Sequence, residues 1–144
     1  LLALAYSINS LSKTMGTADY IISMSEGFLT PALLPAIIFV ISAIMAFATG
    51  SSWGTFAICM PIALPLAFTF TGGELGTLVY ACFGAVAGGG VFGDHCSPLS
   101  DTTVLSSTGS ASDHIDHVQT QLPYALCCGA LAIIVYLIIG FTSL

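Results

Sequence analysis

The chain has 144 residues, of which 56% are hydrophobic and only 6% are charged, and its formal net charge is −6. Soluble domains carry about 25% charged residues, so this composition excludes a water-soluble domain and indicates a membrane protein that faces the lipid bilayer. Because Lys13 is the single lysine or arginine, we predict no nucleic-acid partner. The positive-inside rule, which counts basic residues in loops, gives no membrane orientation here.

The start of the chain divides into an apolar part and a more polar part. Residues 1–12 are predicted to be the end of a membrane span, because the sequence begins inside an apolar run with neither Met nor a signal peptide. Residues 13–30 contain Lys13, Asp19 and Glu26 and are predicted to form a loop with an interfacial turn. This beginning predicts that the chain is a fragment of a single transmembrane transporter domain.

The segment 31–70 has no charged residue. At about 1.5 Å per helical residue it is long enough to cross a ~30 Å hydrocarbon core twice. It is predicted to form two apolar elements broken at 49–55, where Gly, Ser and Thr residues interrupt the hydrophobic run. Gly50 and Gly54 permit backbone conformations that other residues avoid, and the hydroxyl groups of this break are candidates for lining a cavity.

Two further apolar segments follow. Residues 75–107 are predicted to form an apolar element broken at 93–103, and residues 120–142 are predicted to form the last span. An unpaired strand edge is too costly in lipid, so all of these segments are predicted to be helical. The sequence therefore predicts an all-α membrane protein with four to five membrane-embedded helical elements, including two discontinuous segments.

The second break contains the clearest candidates for chemistry. Asp94 and Asp101 lie beside a strongly apolar segment, where an ionised carboxylate costs about 2.5–3.5 kcal/mol and normally marks a functional site. Carboxylate, hydroxyl and freed backbone carbonyl oxygens are the ligands that small hard cations prefer. Removal from water favours the protonated carboxyl group, so that proton and cation would compete for one site. The alternative is that both aspartates cap helix ends at the membrane surface.

Three histidines accompany these carboxylates. His95 lies inside the second break, and the spacing of His114 and His117 places them on one face of a helical turn. Because histidine titrates in the physiological range, all three are predicted to be accessory or pH-sensing residues. Zinc also binds imidazole and carboxylate, so a membrane-embedded metal enzyme built on Asp94 and these histidines is a further alternative. No nucleophile motif, phosphate loop or nucleotide fingerprint supports an enzyme.

Four sequence motifs resemble those of the NhaC-type sodium/proton antiporters, within the wider ion-transporter superfamily. The most specific is GDHCSPLSDTT at 93–103, and the others are HIDHV at 114–118, GSSWGTF at 50–56 and SKTMGTA at 12–18. The resemblance, which is to the carboxy-terminal part of the family, implies a multi-pass carrier of the bacterial or archaeal inner membrane. It also implies inverted repeats with unwound segments and exchange of Na+ for H+.

The resemblance also implies which residues bind the ion. Carried over by position, the ion-binding region comprises Asp94, Ser97, Ser100, Asp101, Thr102, Thr49, Ser51, Ser52 and Thr55. No cofactor and no metal beyond the transported Na+ are expected. The expected partners are the lipid bilayer, the amino-terminal half of the transporter, Na+ and H+, and a homodimer is left open. Asp113 departs from the family pattern, in which we expect a neutral polar residue before His114.

Two alternatives stand beside Na+/H+ exchange. Some relatives exchange organic anions, such as malate for lactate, on the same scaffold. The lack of a lysine or arginine in either break favours bare cations, although helix amino termini can also hold an anion. The other alternative is a transporter fragment that moves no ions by itself.

Overall fold

The computed structural model describes residues 2–25 and 30–143, which fold almost entirely into helices joined by short turns. The helices of these two ranges are α1 (Leu2–Thr14), α2 (Thr17–Ser25), α3 (Leu34–Thr49), α4 (Ser52–Phe70), α5 (Thr77–Cys96), α6 (Asp101–Gly109) and α7 (His114–Thr142). The predicted all-helical fold is therefore confirmed for the described residues.

Three helices, α4, α5 and α7, are long and apolar enough to cross a membrane. The helix α3 is also apolar but has only 16 residues, so at about 1.5 Å per residue it falls short of a ~30 Å core. Large hydrophobic side chains, such as Ile44, Phe83 and Ile134, are exposed along these helices. Such a surface requires lipid or other apolar protein around it, which agrees with the predicted membrane class.

The prediction of a loop over 13–30 is wrong for the described part of that segment. The helix α1 continues through Lys13, and α2 follows after a turn at Gly16, whose φ is 62°. The polar residues of this segment are compatible with helical backbone, and the left-handed glycine interrupts it. Residues 26–29, which include Glu26, lie outside the described residues.

The first interruption between apolar helices is shorter than the predicted break at 49–55. The helix α3 ends at Thr49, and Gly50 then adopts a left-handed conformation with a φ of 64°. Ser51 is the N-cap of α4, since its Oγ accepts a hydrogen bond from the Gly54 backbone N–H at 3.3 Å. This bond satisfies a free N–H group of the first turn, so helical structure resumes within the predicted break.

The second interruption is likewise shorter than the predicted break at 93–103. The helix α5 continues past Gly93, and only residues 97–100 separate it from α6. A proline disfavours helical backbone at the residue before it, and Ser97, which precedes Pro98, is extended with a ψ of 132°. Proline therefore accounts for the end of α5 better than the preceding glycines do.

The helices α3 and α5 pack with their backbones in close contact. A Cβ atom added at Gly93 would lie 2.6 Å from the Phe47 backbone nitrogen and would overlap the Ala43 carbonyl oxygen. A Cβ atom added at Gly89 would lie 2.9 Å from Ser42 Cβ. Small residues at helix interfaces permit such an approach in membranes. The contact brings the carboxyl ends of α3 and α5, and therefore both breaks, to the same place.

The substitution Gly93→Ala should lower the thermal stability of the detergent-solubilised full-length protein, because the added methyl group forces α3 and α5 apart. We expect a loss of about 1–3 kcal/mol, which is typical of overpacking. Gly109→Ala is the matched control, since a Cβ atom added there meets nothing within 4 Å. Equal melting temperatures for the two variants would contradict the close packing.

Candidate ion-binding site

The two helix breaks lie against each other. A Cβ atom added at Gly50 would lie 2.7 Å from the Leu99 carbonyl carbon and 2.9 Å from the Ser100 backbone nitrogen. Beside this contact, Ser97 Oγ donates a hydrogen bond to the Phe47 carbonyl oxygen at 2.7 Å. The region, named the helix crossing below, comprises Gly50, Ser51 and residues 97–100. It brings the carboxyl ends of α3 and α5 close to the amino ends of α4 and α6.

A carboxylate and two hydroxyl groups form a hydrogen-bonded chain at the helix crossing. Ser100 Oγ donates to Asp94 Oδ1 at 2.7 Å and lies 2.7 Å from Thr102 Oγ1. Ser100 is also the N-cap of α6, since its Oγ accepts a hydrogen bond from the Thr102 backbone N–H at 3.2 Å. Asp94 is half-buried in the last turn of α5. It is thus linked to the amino end of α6, where the helix dipole favours a negative charge.

Asp101 occupies a different environment from Asp94. Its side chain is exposed in the first turn of α6. A carboxylate in the first turn of a helix is stabilised by the helix dipole without any bound ion. The helix-end interpretation of the aspartates therefore fits Asp101 better than Asp94, and a role for Asp101 in ion binding stays a prediction.

Ser97 is completely buried, and its hydroxyl group joins the two breaks. Its Oγ donates to the Phe47 carbonyl oxygen at 2.7 Å and accepts from the Leu99 backbone N–H at 3.1 Å. Of its two oxygen lone pairs, one is thus occupied by a backbone donor. The contacts assign Ser97 a structural role, and its predicted role as an ion ligand remains untested.

The substitution Ser97→Ala should destabilise the full-length protein by about 1–3 kcal/mol, because it removes two hydrogen bonds of about 0.5–1.5 kcal/mol each, one to the Phe47 carbonyl group and one from the Leu99 N–H group. Thr69→Ala is the control, since the Thr69 side chain is exposed and its hydroxyl group bonds only within α4. Thermal unfolding in detergent measures the difference. A Ser97→Ala protein with unchanged stability but weakened Na+ binding would instead identify Ser97 as a ligand.

The hydroxyl groups of the first break bond mainly to the backbone of their own segment. Thr49 is exposed, and its Oγ1 donates to the Met45 carbonyl oxygen at 2.8 Å. Thr55 is buried, and its Oγ1 donates to the Ser51 carbonyl oxygen at 3.0 Å. Ser52 is half-buried at the start of α4. These residues reach the second break through the backbone contact of the helix crossing, and their roles as ligands stay predictions.

The three histidines fall into two groups. His114 connects the start of α7 to the helix crossing, since its Nε2 lies 2.9 Å from the Pro98 carbonyl oxygen and its Nδ1 lies 3.2 Å from Ser107 Oγ. His95 and His117 instead line one polar cavity of about 240 Å³. Within residues 2–25 and 30–143, no group of three or more His, Cys, Asp or Glu side chains is placed to hold a metal ion. The convergence that a metal enzyme requires is not found there.

Sequence reasoning missed Gln121 as a residue of this cavity. The lining is completed by Thr102 and Thr103, which belong to the motif at 93–103, by Ser106, which follows it, and by Gln121. Thr103 Oγ1 and Gln121 Nε2 both donate to the His95 carbonyl oxygen, at 3.1 Å and 2.9 Å. Gln121 lies 26 residues from His95, in a different helix, so no local pattern could have paired them.

The chain matches the Na+/H+ antiporter family over residues 1–141. It belongs to this family. Similar proteins include an uncharacterized protein of Haemophilus influenzae, which is 47% identical over 99% of this chain. The arginine/ornithine antiporter of Halobacterium salinarum is 34% identical over 89%, and the malate-2H+/Na+-lactate antiporter of Bacillus subtilis is 32% identical over 88%. The chain spans 27%, 25% and 26% of the lengths of these relatives. No solved structure matches the chain.

Family membership confirms the resemblance found in the motifs. Together with the three apolar helices of membrane-spanning length, it identifies the chain as part of an integral membrane protein from a family of antiporters. The helix crossing and the chain of side chains from Asp94 to Thr102 are therefore polar features next to the end of the apolar helix α5.

Proposed function

We propose that the full-length protein is a secondary active transporter that exchanges Na+ for H+ across the cytoplasmic membrane. The observation that carries this proposal is the Asp94 carboxylate, which accepts a hydrogen bond from Ser100 at the interruption that follows the apolar helix α5. An ionised carboxylate binds a hard cation, and a protonated one does not. One group can therefore bind the two ions in turn, and each ion displaces the other.

The position of Asp94 at the carboxyl end of α5 supports a cation beside it, because that end of a helix carries a partial negative charge. The amino end of α6, to which Ser100 links the carboxylate, favours the ionised form of Asp94 that a cation requires. Binding of Na+ beside Asp94 would repel the Ser100 hydroxyl hydrogen, which then turns toward Thr102 Oγ1, 2.7 Å away. The freed Ser100 oxygen supplies a further ligand. The remaining motif hydroxyls and Asp101 complete the proposed ion-binding region.

A second candidate is exchange of an organic substrate coupled to Na+ or H+. Two relatives are named for such substrates, the arginine/ornithine antiporter and the malate-2H+/Na+-lactate antiporter. The Asp94 carboxylate would suit an amine or guanidinium group. An organic anion would need a cationic partner or a helix amino terminus, and Lys13, the single lysine or arginine of the chain, is exposed on α1, away from the carboxylate of Asp94 that an anion would have to approach. The residues at the helix crossing therefore favour a cationic substrate.

Transport by the purified full-length protein in proteoliposomes separates these candidates. We expect an outward proton gradient to drive uptake of radioactive sodium, with no uptake of labelled malate or arginine. If malate or arginine is taken up and sodium is not, the second candidate replaces the first. Empty liposomes prepared in parallel provide the control for leakage.

A further inference from the structure

A polar cavity of about 240 Å³ lies beside the helix crossing, where the end of α5 meets α6 and α7. The side chains that line it are all polar: His95, Thr102, Thr103, Ser106, His117 and Gln121. Gln121 Oε1 is buried and has no hydrogen-bond partner among the described residues. Buried acceptors are normally satisfied, and a water molecule takes up roughly 30 Å³. The cavity therefore has both the room and the chemistry to hold several water molecules.

Thr102 connects this cavity to Asp94. Its side chain lines the cavity, and its Oγ1 lies 2.7 Å from Ser100 Oγ. Ser100 Oγ in turn lies 2.7 Å from Asp94 Oδ1. Both distances are typical of good O–H···O hydrogen bonds. The neighbouring Thr103 donates its hydroxyl group to the His95 carbonyl oxygen, so the continuous chain of hydroxyl groups runs through Thr102.

We propose that Thr102 and Ser100 form the proton pathway to Asp94, and that the polar cavity is its aqueous entrance. This inference rests on the proposed function, in which Asp94 takes up and releases the proton. The cavity lining also includes the imidazole groups of His95 and His117. Asp94 is not among the lining residues, and the two hydroxyl groups connect it to them.

Proton transfer along this chain needs only the groups already in place. A proton from a cavity water or a protonated histidine binds Thr102 Oγ1, and the original hydroxyl hydrogen of Thr102 passes to Ser100 Oγ. The original Ser100 hydrogen then passes to Asp94 Oδ1. The carboxylate becomes a neutral carboxyl group, and each hydroxyl group again holds one hydrogen. The reverse sequence returns the proton to the cavity.

The substitution Thr102→Val tests the pathway, because it removes the hydroxyl group while nearly preserving the volume of the side chain. In proteoliposomes carrying the full-length variant, we expect Na+/H+ exchange to slow at least tenfold more than Na+/Na+ exchange, which moves no proton. Thr102→Ser, which retains the hydroxyl group, should restore most of the rate. Thr108→Val is the control, since the Thr108 hydroxyl group bonds only to the Val104 carbonyl oxygen of its own helix. Equal slowing of both exchange modes, or of neither, would overturn the pathway.

Filling the cavity is an independent test. Ser106→Cys labelled with a bulky, membrane-impermeant thiol reagent should lose proton-coupled exchange, whereas labelled Thr108→Cys should keep it. Retained exchange in labelled Ser106→Cys would show that the cavity is not the entrance. A failure of the proposed function would give a different result, namely normal exchange in Asp94→Asn. If Asp94→Asn loses exchange but Thr102→Val exchanges at the normal rate, the proton pathway is overturned and the proposed function is not.

Discussion

The substitution Asp94→Asn should reduce Na+/H+ exchange by the full-length protein by roughly a hundredfold or more, which corresponds to about 3 kcal/mol of lost interaction. Asparagine keeps an oxygen that can accept the hydrogen bond from Ser100, so the helix crossing should stay intact. The amide group cannot bind a proton in this pH range and provides no negative charge for Na+. The loss should therefore affect transport without affecting insertion.

Exchange is measured as sodium-dependent proton movement in everted membrane vesicles, and the amount of protein in the membrane is measured in the same preparation. Glu74→Gln is the matched control, because Glu74 is an exposed carboxylate in the turn between α4 and α5. We expect this control to transport at the normal rate. Normal exchange in Asp94→Asn would remove Asp94 from the mechanism.

The substitution Gly50→Ala should destabilise the protein by about 2–5 kcal/mol, because two penalties add at one residue. The φ of 64° places Gly50 in the left-handed region, which costs an alanine about 1–2 kcal/mol. The new Cβ atom would also lie 2.7 Å from the Leu99 carbonyl carbon and 2.9 Å from the Ser100 nitrogen. Both contacts are with backbone, which cannot move aside as a flexible side chain does.

Gly72→Ala separates the two penalties. Gly72 has a φ of 65°, but a Cβ atom added there meets nothing within 4 Å. The control thus carries the backbone strain alone, and the difference between the variants measures the contact at the helix crossing. Yield in the membrane and melting temperature in detergent are the measurements. Equal effects in both variants would mean that the two breaks do not touch.

The helices were predictable from the sequence because the apolar runs are long and their ends carry Gly, Ser or Pro. The length of each break was not predictable from the sequence. Gly54 and Gly93 suggested irregular backbone, yet both lie inside helices, since a glycine only weakens a helix and does not end it. The continuation of helix α1 through Lys13 was also not predicted, because scattered polar residues suggested a loop although they do not by themselves end a helix.

The candidate site was partly predictable. Asp94, Ser100 and Thr102 are close in sequence, and the structure joins them by hydrogen bonds. The packing of α7 beside α5 and α6 determines which histidines line the cavity and which one contacts the helix crossing. It also brings Gln121 to His95. Packing between distant segments leaves no periodic pattern in a single sequence. The different surroundings of Asp94 and Asp101 have the same origin.

The most direct test of the central claim is collapse of a preformed pH gradient in everted vesicles that carry the full-length protein. Addition of NaCl should dissipate the gradient, while KCl at the same concentration should leave it unchanged, and vesicles without the protein should respond to neither salt. Dissipation by NaCl that disappears in Asp94→Asn is the result that we expect. A gradient that resists NaCl but collapses with arginine or malate would contradict Na+/H+ exchange and identify an organic substrate.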